Sequence, residues 1–348
     1  MANEYTNDIN IKNTISLRDI LAELPSYVKV VFRGIENKAS SRTRLGYAID
    51  IKTFYNFLCS ECPQFRGRKP IDITLDDISR LEAEDIEEYL EYLKYYEKNG
   101  KIYTNGEQAI KRKLSALRVF YAYLYKNNRI SSNPVEKVDM PKIHGKTITR
   151  LDINEIADFL DAVEYGDHLT EHQQAYHAKT KVRDLAILTL MLGTGIRVSE
   201  CVGIDLNDVD FNNGRVKVTR KGGYESYVYF GDEVTAALTD YFEERKHIEP
   251  VSGHENALFL SSQRKRMSVR SVEMLVKKYS EGVIPMKHIT PHKLRSTYGT
   301  ELYRETGDIY LVADVLGHSD VNTTRKHYAD MDEDRRRSVR NRVQLREK

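Results

Sequence analysis

Apolar residues recur at helical spacing through most of this chain. Leu45, Ala48, Ile49, Tyr55, Phe57 and Leu58 predict a helix with more than one apolar face. Residues 77–90 are acidic and amphipathic, and predict a second helix. Ile110, Leu114, Leu117, Tyr121 and Leu124 form one clean stripe, which predicts a third long helix. Ahead of these, residues 1–24 are polar, with Ile15, Leu17, Ile20 and Leu21 as a short apolar pattern, and read as an arm or a small helix. Pro and Gly break the periodicity between residues 131 and 146, which predicts a linker. The expected organisation is therefore an arm (1–24), a helical domain (25–130), a linker (131–146) and a second domain (147–348).

The second domain carries two kinds of pattern. Leu151, Ile153, Ile156, Phe159 and Leu160 predict a helix, with Thr149 as its cap and Asp152 in the acidic position of a capping box. Residues 165–180 are polar and contain His168, His172 and His177, so a surface connection is expected there. Residues 183–192 are apolar after the first two and predict a buried helix. Residues 214–230 instead alternate apolar and polar around Gly222 and Gly223, a hairpin signal. Ser268 is placed to cap a helix containing Val272, Met274, Leu275 and Val276. The fold class expected is mainly α, with a helical N-terminal domain and a mixed α+β second domain holding a small antiparallel sheet.

Composition narrows this picture. The 348 residues include 54 Lys+Arg and 52 Asp+Glu, a net charge of only +2, so any affinity for phosphate backbones depends on how the charge is distributed. Lys111, Lys113 and Arg118 lie opposite the apolar stripe of their helix, with Arg112 flanking, and Arg42 and Arg44 open an earlier helix. The densest basic run before the C-terminus, residues 262–270, contains Arg264, Lys265 and Arg266. Three cysteines make no disulfide framework; Cys59 and Cys62 form a lone CxxC without further ligands, which predicts reduced thiols and a cytosolic chain. No apolar run approaches the roughly 18–20 residues of a membrane span, and the N-terminus does not read as a signal peptide.

The candidate chemistry concentrates between residues 287 and 330. His292 and Arg295 are three apart after Pro291, a residue suited to a first helical turn, and so are expected on one helical face. His318 follows Gly317, and Tyr328 lies ten positions further on in a polar run. Arg, His and Tyr together suggest the handling of a phosphate, with Tyr as nucleophile. Upstream, Arg197 follows an apolar helix-like run and has Glu200 as a candidate partner. Gly193-Thr-Gly195 lacks the third glycine of a nucleotide-binding loop.

The combination of Gly-Thr-Gly-Ile-Arg-Val-Ser-Glu (193–200), His-Lys-Leu-Arg (292–295), Leu-Gly-His (316–318) and the following tyrosine resembles the tyrosine recombinase family, the phage-type integrases and Xer recombinases. The likeness runs from about Leu45 to Tyr328. Thr-Arg-Lys-Gly-Gly (219–223) and the insertion near 165–180 look most like the single-Xer recombinases of Gram-positive bacteria. One departure is the spacing of ten from His318 to Tyr328; many Xer proteins have nine, while various mobile-element integrases have ten.

The resemblance implies a site-specific recombinase in which Tyr328 forms a 3′-phosphotyrosine and strands exchange through a Holliday junction. Arg197, His292, Arg295 and His318 would surround the phosphate, Glu200 would orient them, and Lys221 would protonate the leaving oxygen. Arg220 is the adjacent alternative for that task. Neither His288 nor His327 matches a family position. The partners implied are double-stranded DNA with a paired inverted-repeat site and a homotetramer on two such sites, with no membrane, metal, nucleotide or other cofactor. In this family a charged tail such as the one from residue 332 often docks on a neighbouring subunit. A type IB topoisomerase-like relaxation, and a non-catalytic DNA-binding protein on the same fold, are the competing readings.

Overall fold

The computed structural model describes residues 4–98, 100–144, 150–220, 222–318 and Val321. Two compact units divide the chain, one formed by Glu4–Lys146 and the other beginning at Thr147.

The first unit is helical. It contains α1 (Glu4–Ala22), α2 (Ser26–Gly34), α3 (Ser41–Ser60), the short α4 (Leu75–Ser79), α5 (Ala83–Tyr92) and α6 (Glu107–Lys126). A small hairpin of β1 (Tyr96–Lys98) and β2 (Lys101–Tyr103) separates α5 from α6. Local chemistry sets the helix starts. Ser40 Oγ accepts the Thr43 N–H ahead of α3, and Thr74 and Asp77 close a reciprocal capping box on α4. One core then collects the apolar faces, with Phe54, Tyr55, Phe57, Tyr89, Phe120 and Tyr121 its largest fully buried side chains in this unit.

Two expectations change here. Residues 4–22 form a helix that packs on α3, and Leu17, Leu21 and Leu24 are buried in the same core, so this stretch is part of the unit and not a separate arm. The start of the expected linker also belongs to that core, since Val135 and Val138 are buried within it.

A buried ion cluster joins α3 to α6. Asp50 is 1% exposed and accepts from Lys113 Nζ at 3.1 Å and from both terminal nitrogens of Arg112. Lys113 was expected on a charged outer face, yet it is buried and serves this carboxylate.

The second unit is built around α8 (Glu171–Thr194), which packs against α7 (Ile153–Tyr165), α10 (Asp232–Lys246) and α12 (Pro291–Thr306). Between α8 and α10 come the short α9 (Val198–Val202) and an antiparallel sheet of β3 (Val209–Asp210), β4 (Arg215–Thr219) and β5 (Glu225–Tyr229), in that order. The remaining helices are α11 (Val269–Val283) and α13 (Ile309–Leu316). The hairpin runs in the expected place, with Val216 opposite Val228 and Thr219 opposite Glu225.

Three details differ from the sequence reading. The cap of α7 is Asp152, whose carboxylate accepts the Glu155 N–H while Glu155 answers from N3; Thr149 lies outside the described residues. The segment expected as a surface connection is largely the first turns of α8, capped by Thr170. Within it His177 is buried, its Nε2 2.8 Å from the carbonyl of Val163. Among the described residues, no helix is long and apolar enough to cross a membrane.

Replacing Asp50 by alanine leaves the Lys113 ammonium buried without its carboxylate. Breaking such a pair costs about 3 kcal/mol or more. Hydrogen exchange of the α6 amides should therefore speed up roughly a hundredfold in Asp50→Ala. Unchanged protection would show that the cluster does not hold α3 to α6.

Candidate functional site

The site is assembled at the C-terminal end of α13. A helix leaves its last four carbonyls without intrahelical partners. In α13 all four are accounted for. Gly317 takes up a left-handed conformation (φ 60°), and the Gly317 and His318 N–H groups return to Asp314 and Ala313. The last two carbonyls are met by arginine side chains from distant parts of the chain. Arg220 Nη2 donates to Val315 at 3.1 Å and its Nη1 to Leu316 at 3.0 Å. Arg295 Nη2 also donates to the Leu316 carbonyl. One residue on, Arg197 Nη2 donates to the Gly317 carbonyl at 3.2 Å.

Each arginine arrives by a different route. Arg197 is the N-cap residue of α9, immediately past the end of α8. There Gly195 turns the chain in the left-handed region (φ 63°), and a Cβ at this point would stand 2.4 Å from the Tyr298 ring. Glu200, 5% exposed, accepts the Arg197 backbone N–H at 2.9 Å and its Nη1 at 2.7 Å. In the candidate pair of the sequence reading, both hydrogen bonds therefore run from Arg197 to Glu200, whose carboxylate also stands 3.8 Å from Arg220 Nη1. Arg295 lies on α12, 4% exposed, and donates from Nη1 to the Gly195 carbonyl at 2.6 Å. It therefore ties the turn before Arg197 to the turn before His318.

Arg220 directly follows β4 at the hairpin. Its backbone N–H donates to Tyr224 O at 2.7 Å and its carbonyl accepts from Gly223 at 3.0 Å, so the stem of the turn is closed on both sides. The side chain donates to the α13 carbonyls. A charged hydrogen bond contributes about 1.5–3 kcal/mol, and cations are favoured at a helix C-terminus, so these contacts hold the site together.

The structure brings together Arg197, Glu200, Arg295 and the backbone of His318. His318 is half-buried. His292, expected to share a face with Arg295, is exposed on the first turn of α12 while Arg295 is buried. Lys221 and Tyr328 lie outside the described residues, as does the charged tail.

The basic residues separate into two groups. Arg42, Arg112, Arg264 and Lys265 are exposed, and Lys111 is half-buried. Three others are engaged within the chain. Arg44 pairs with Glu36 at 2.8 Å, Arg118 donates to the Val138 carbonyl at 2.7 Å, and Arg266 meets Asp205 and the carbonyls of Val202 and Ile204. Arg266, expected in a DNA-facing basic loop, instead donates to the Val202 and Ile204 carbonyls and pairs with Asp205. Arg112 is exposed but has both terminal nitrogens on Asp50.

The cysteines fit the reduced-thiol reading. Burial pushes the Cys62 thiol up to about 11 and Cys201 up to about 12, far from the thiolate that a nucleophile or metal ligand requires. Among the described residues, no group of three or more His, Cys, Asp or Glu is arranged to hold a metal ion.

Residues 149–335 match the model of the phage integrase family. A tyrosine recombinase XerC of Caldanaerobacter subterraneus subsp. tengcongensis is 31% identical over 350 residues, covering 97% of this chain and 90% of that protein. A tyrosine recombinase XerS of Lactococcus lactis subsp. cremoris is 32% identical over 280 residues, covering 74% and 78%. Two solved structures share the fold. A XerH site-specific recombinase bound to palindromic difH substrate superposes with a TM-score of 0.67 at 18% identity, covering 95% of this chain and 90% of that one. The Tn1549 transposon integrase in complex with transposon right end DNA gives 0.65 at 22% identity, covering 91% and 99%.

A Cβ on Gly317 would lie 2.6 Å from Arg220 Nη1, at a φ that also strains alanine. Gly317→Ala should cost about 1–2 kcal/mol in denaturant unfolding. Part of that cost is collision with the guanidinium. Combined with Arg220→Ala, the two substitutions should therefore cost less than their sum by about 0.5 kcal/mol or more. Simple additivity would place the Arg220 side chain elsewhere.

Proposed function

The chain belongs to the phage integrase family, and from that premise we propose that it recombines DNA at specific sites through a tyrosine–DNA intermediate held in the arginine-lined turn. It is a tyrosine recombinase, a DNA strand-transferring enzyme. The observation that carries the residue roles is the convergence of Arg197 and Arg295 on the turn that bears His318.

In the proposed reaction the Tyr328 oxygen attacks a backbone phosphorus and the bond to the 5′-oxygen breaks. The product is a 3′-phosphotyrosine and a free 5′-hydroxyl. Its ester keeps the energy of the phosphodiester, so rejoining to a new strand needs neither ATP nor a metal ion. Arg197 and Arg295 hold the non-bridging oxygens and stabilise the charge of the pentacoordinate transition state. Each guanidinium has five donors, enough for one group to serve a carbonyl and a phosphate oxygen at once. Lys221 protonates the departing oxygen. His292 assists proton transfer at the tyrosine or holds the phosphate, and His318 donates a further hydrogen bond. Glu200 orients Arg197 from beneath.

Exposed Arg42, Arg112, Arg264 and Lys265, with Lys111, are the side chains proposed to meet the duplex backbone. Two exchanges through a Holliday junction imply four protomers on two inverted-repeat sites, acting on DNA in the cytoplasm. The biological setting is proposed as either chromosome dimer resolution or movement of a genetic element. The recombinase relatives give no support to a topoisomerase-like relaxation.

Incubated with sheared genomic DNA of its host and then denatured, the purified protein should be recovered covalently attached to 3′-phosphate ends. Tyr328→Phe should abolish this attachment while leaving duplex binding nearly intact. Attachment by that variant would remove Tyr328 as the nucleophile. Arg295→Ala should slow cleavage about a hundredfold or more, since a direct phosphate contact is lost. Near-normal cleavage by Arg295→Ala would sink the role assigned to it.

A further inference from the structure

Arg220 stands between two parts of the site and has no role in the chemistry proposed above. Its main chain closes the stem of the β4–β5 turn, through Tyr224 O and the Gly223 N–H. Its side chain spans to α13 and takes the Val315 and Leu316 carbonyls. Glu200 lies 3.8 Å from the same guanidinium, so the residue also shares the carboxylate that holds Arg197. The side chain is only 12% exposed, and Gly317 leaves the room it occupies.

The two ends of this link are not equally dependent on it. The end of α13 keeps Arg295 on Leu316 and Arg197 on Gly317 if Arg220 is lost. Arg220 makes the two hydrogen bonds to α13 described here from the hairpin side, through the residue directly before Lys221. Removing that side chain takes away these two hydrogen bonds between the hairpin stem and α13, while α13 keeps those from Arg295 and Arg197.

We propose that Arg220 is a positioning residue for leaving-group protonation, a clamp that fixes the hairpin stem to the C-terminus of α13 so that the next residue delivers its proton to the departing 5′-oxygen. This rests on the reading of Lys221 as the proton donor. The clamp gives a specific signature, because it acts on one half of the reaction. A 5′-bridging phosphorothiolate leaves as a thiolate with a thiol pKa of about 8.5 and needs no proton, whereas a 5′-oxygen does.

The test compares full-length wild type with Arg220→Gln, Arg220→Lys and Lys221→Met. The substrate is a duplex carrying the site recovered by covalent attachment, made with either a 5′-oxygen or a 5′-sulfur at the scissile phosphate. Arg220→Gln should bind both duplexes within about twofold of wild type. It should cleave the ordinary one roughly a hundredfold more slowly, the low end of what a positioned acid contributes. It should cleave the sulfur-containing duplex within about threefold of wild type, which also shows that the variant is folded. Arg220→Lys, able to reach one carbonyl with a single ammonium, should fall between. Lys221→Met separates the two layers of the argument. If sulfur rescues Lys221→Met but not Arg220→Gln, the clamp is wrong and the acid stands. If sulfur rescues neither, the acid assignment fails and takes the clamp with it. Normal cleavage of ordinary DNA by Arg220→Gln also overturns the clamp.

Discussion

Three guanidinium groups converge on the end of one eight-residue helix, and the candidate site depends on that convergence. The carbonyls at the end of α13 must find donors, and they find Arg220 and Arg295, with Arg197 one residue on. The three arginines come from the start of α9, the residue after β4 and the buried face of α12. A single helix terminus thus brings together segments separated by about a hundred residues in sequence. The helix dipole favours this placement, and the carboxylate of Glu200 offsets part of the accumulated positive charge.

Such an arrangement is strongly biased towards an anion. Like charges held close together repel one another, and Glu200 supplies only one carboxylate between Arg197 and Arg220. In the proposed reaction a phosphodiester would supply further negative charge, with oxygens suited to the planar donors of Arg197 and Arg295. Preorganisation follows from the carbonyl contacts, since Arg197 and Arg295 are oriented by protein before any substrate arrives. The fold supplies this rigidity through α8, whose end delivers Gly195 and Arg197 and whose flank packs on α12.

Much of this was legible in the chain. The helical stripes, the 214–230 hairpin and the Ser268 cap depend on nearest neighbours and local period, which sequence displays directly. The pairing of Arg197 with Glu200 was readable from their spacing. What could not be read was which cations are spent inside the protein. Lys113 looked like a surface lysine because helical periodicity does not reveal a buried Asp50 on a facing helix. Arg266 looked like a DNA contact because nothing local shows the carbonyls of Val202 and Ile204 awaiting a donor. Arg220 was named only as a neighbour of Lys221, since its role needs α13, about a hundred residues away. The one signal available was the glycine at 317, which leaves space where another residue would meet the guanidinium. Residues 1–24 read as an arm or a small helix, because sparse apolar positions gave little sign that Leu17 and Leu21 reach a core built by later helices.

The central claim is that this arginine-lined turn serves a tyrosine that attaches covalently to DNA at defined places. The most direct measurement is to recover protein–DNA adducts from cells under denaturing conditions and map their ends, comparing wild type with Tyr328→Phe. The account predicts adducts on 3′ ends at one chromosomal site or at the ends of an inserted element, lost in the variant. Adducts scattered without site preference, or equally abundant in Tyr328→Phe, would contradict it.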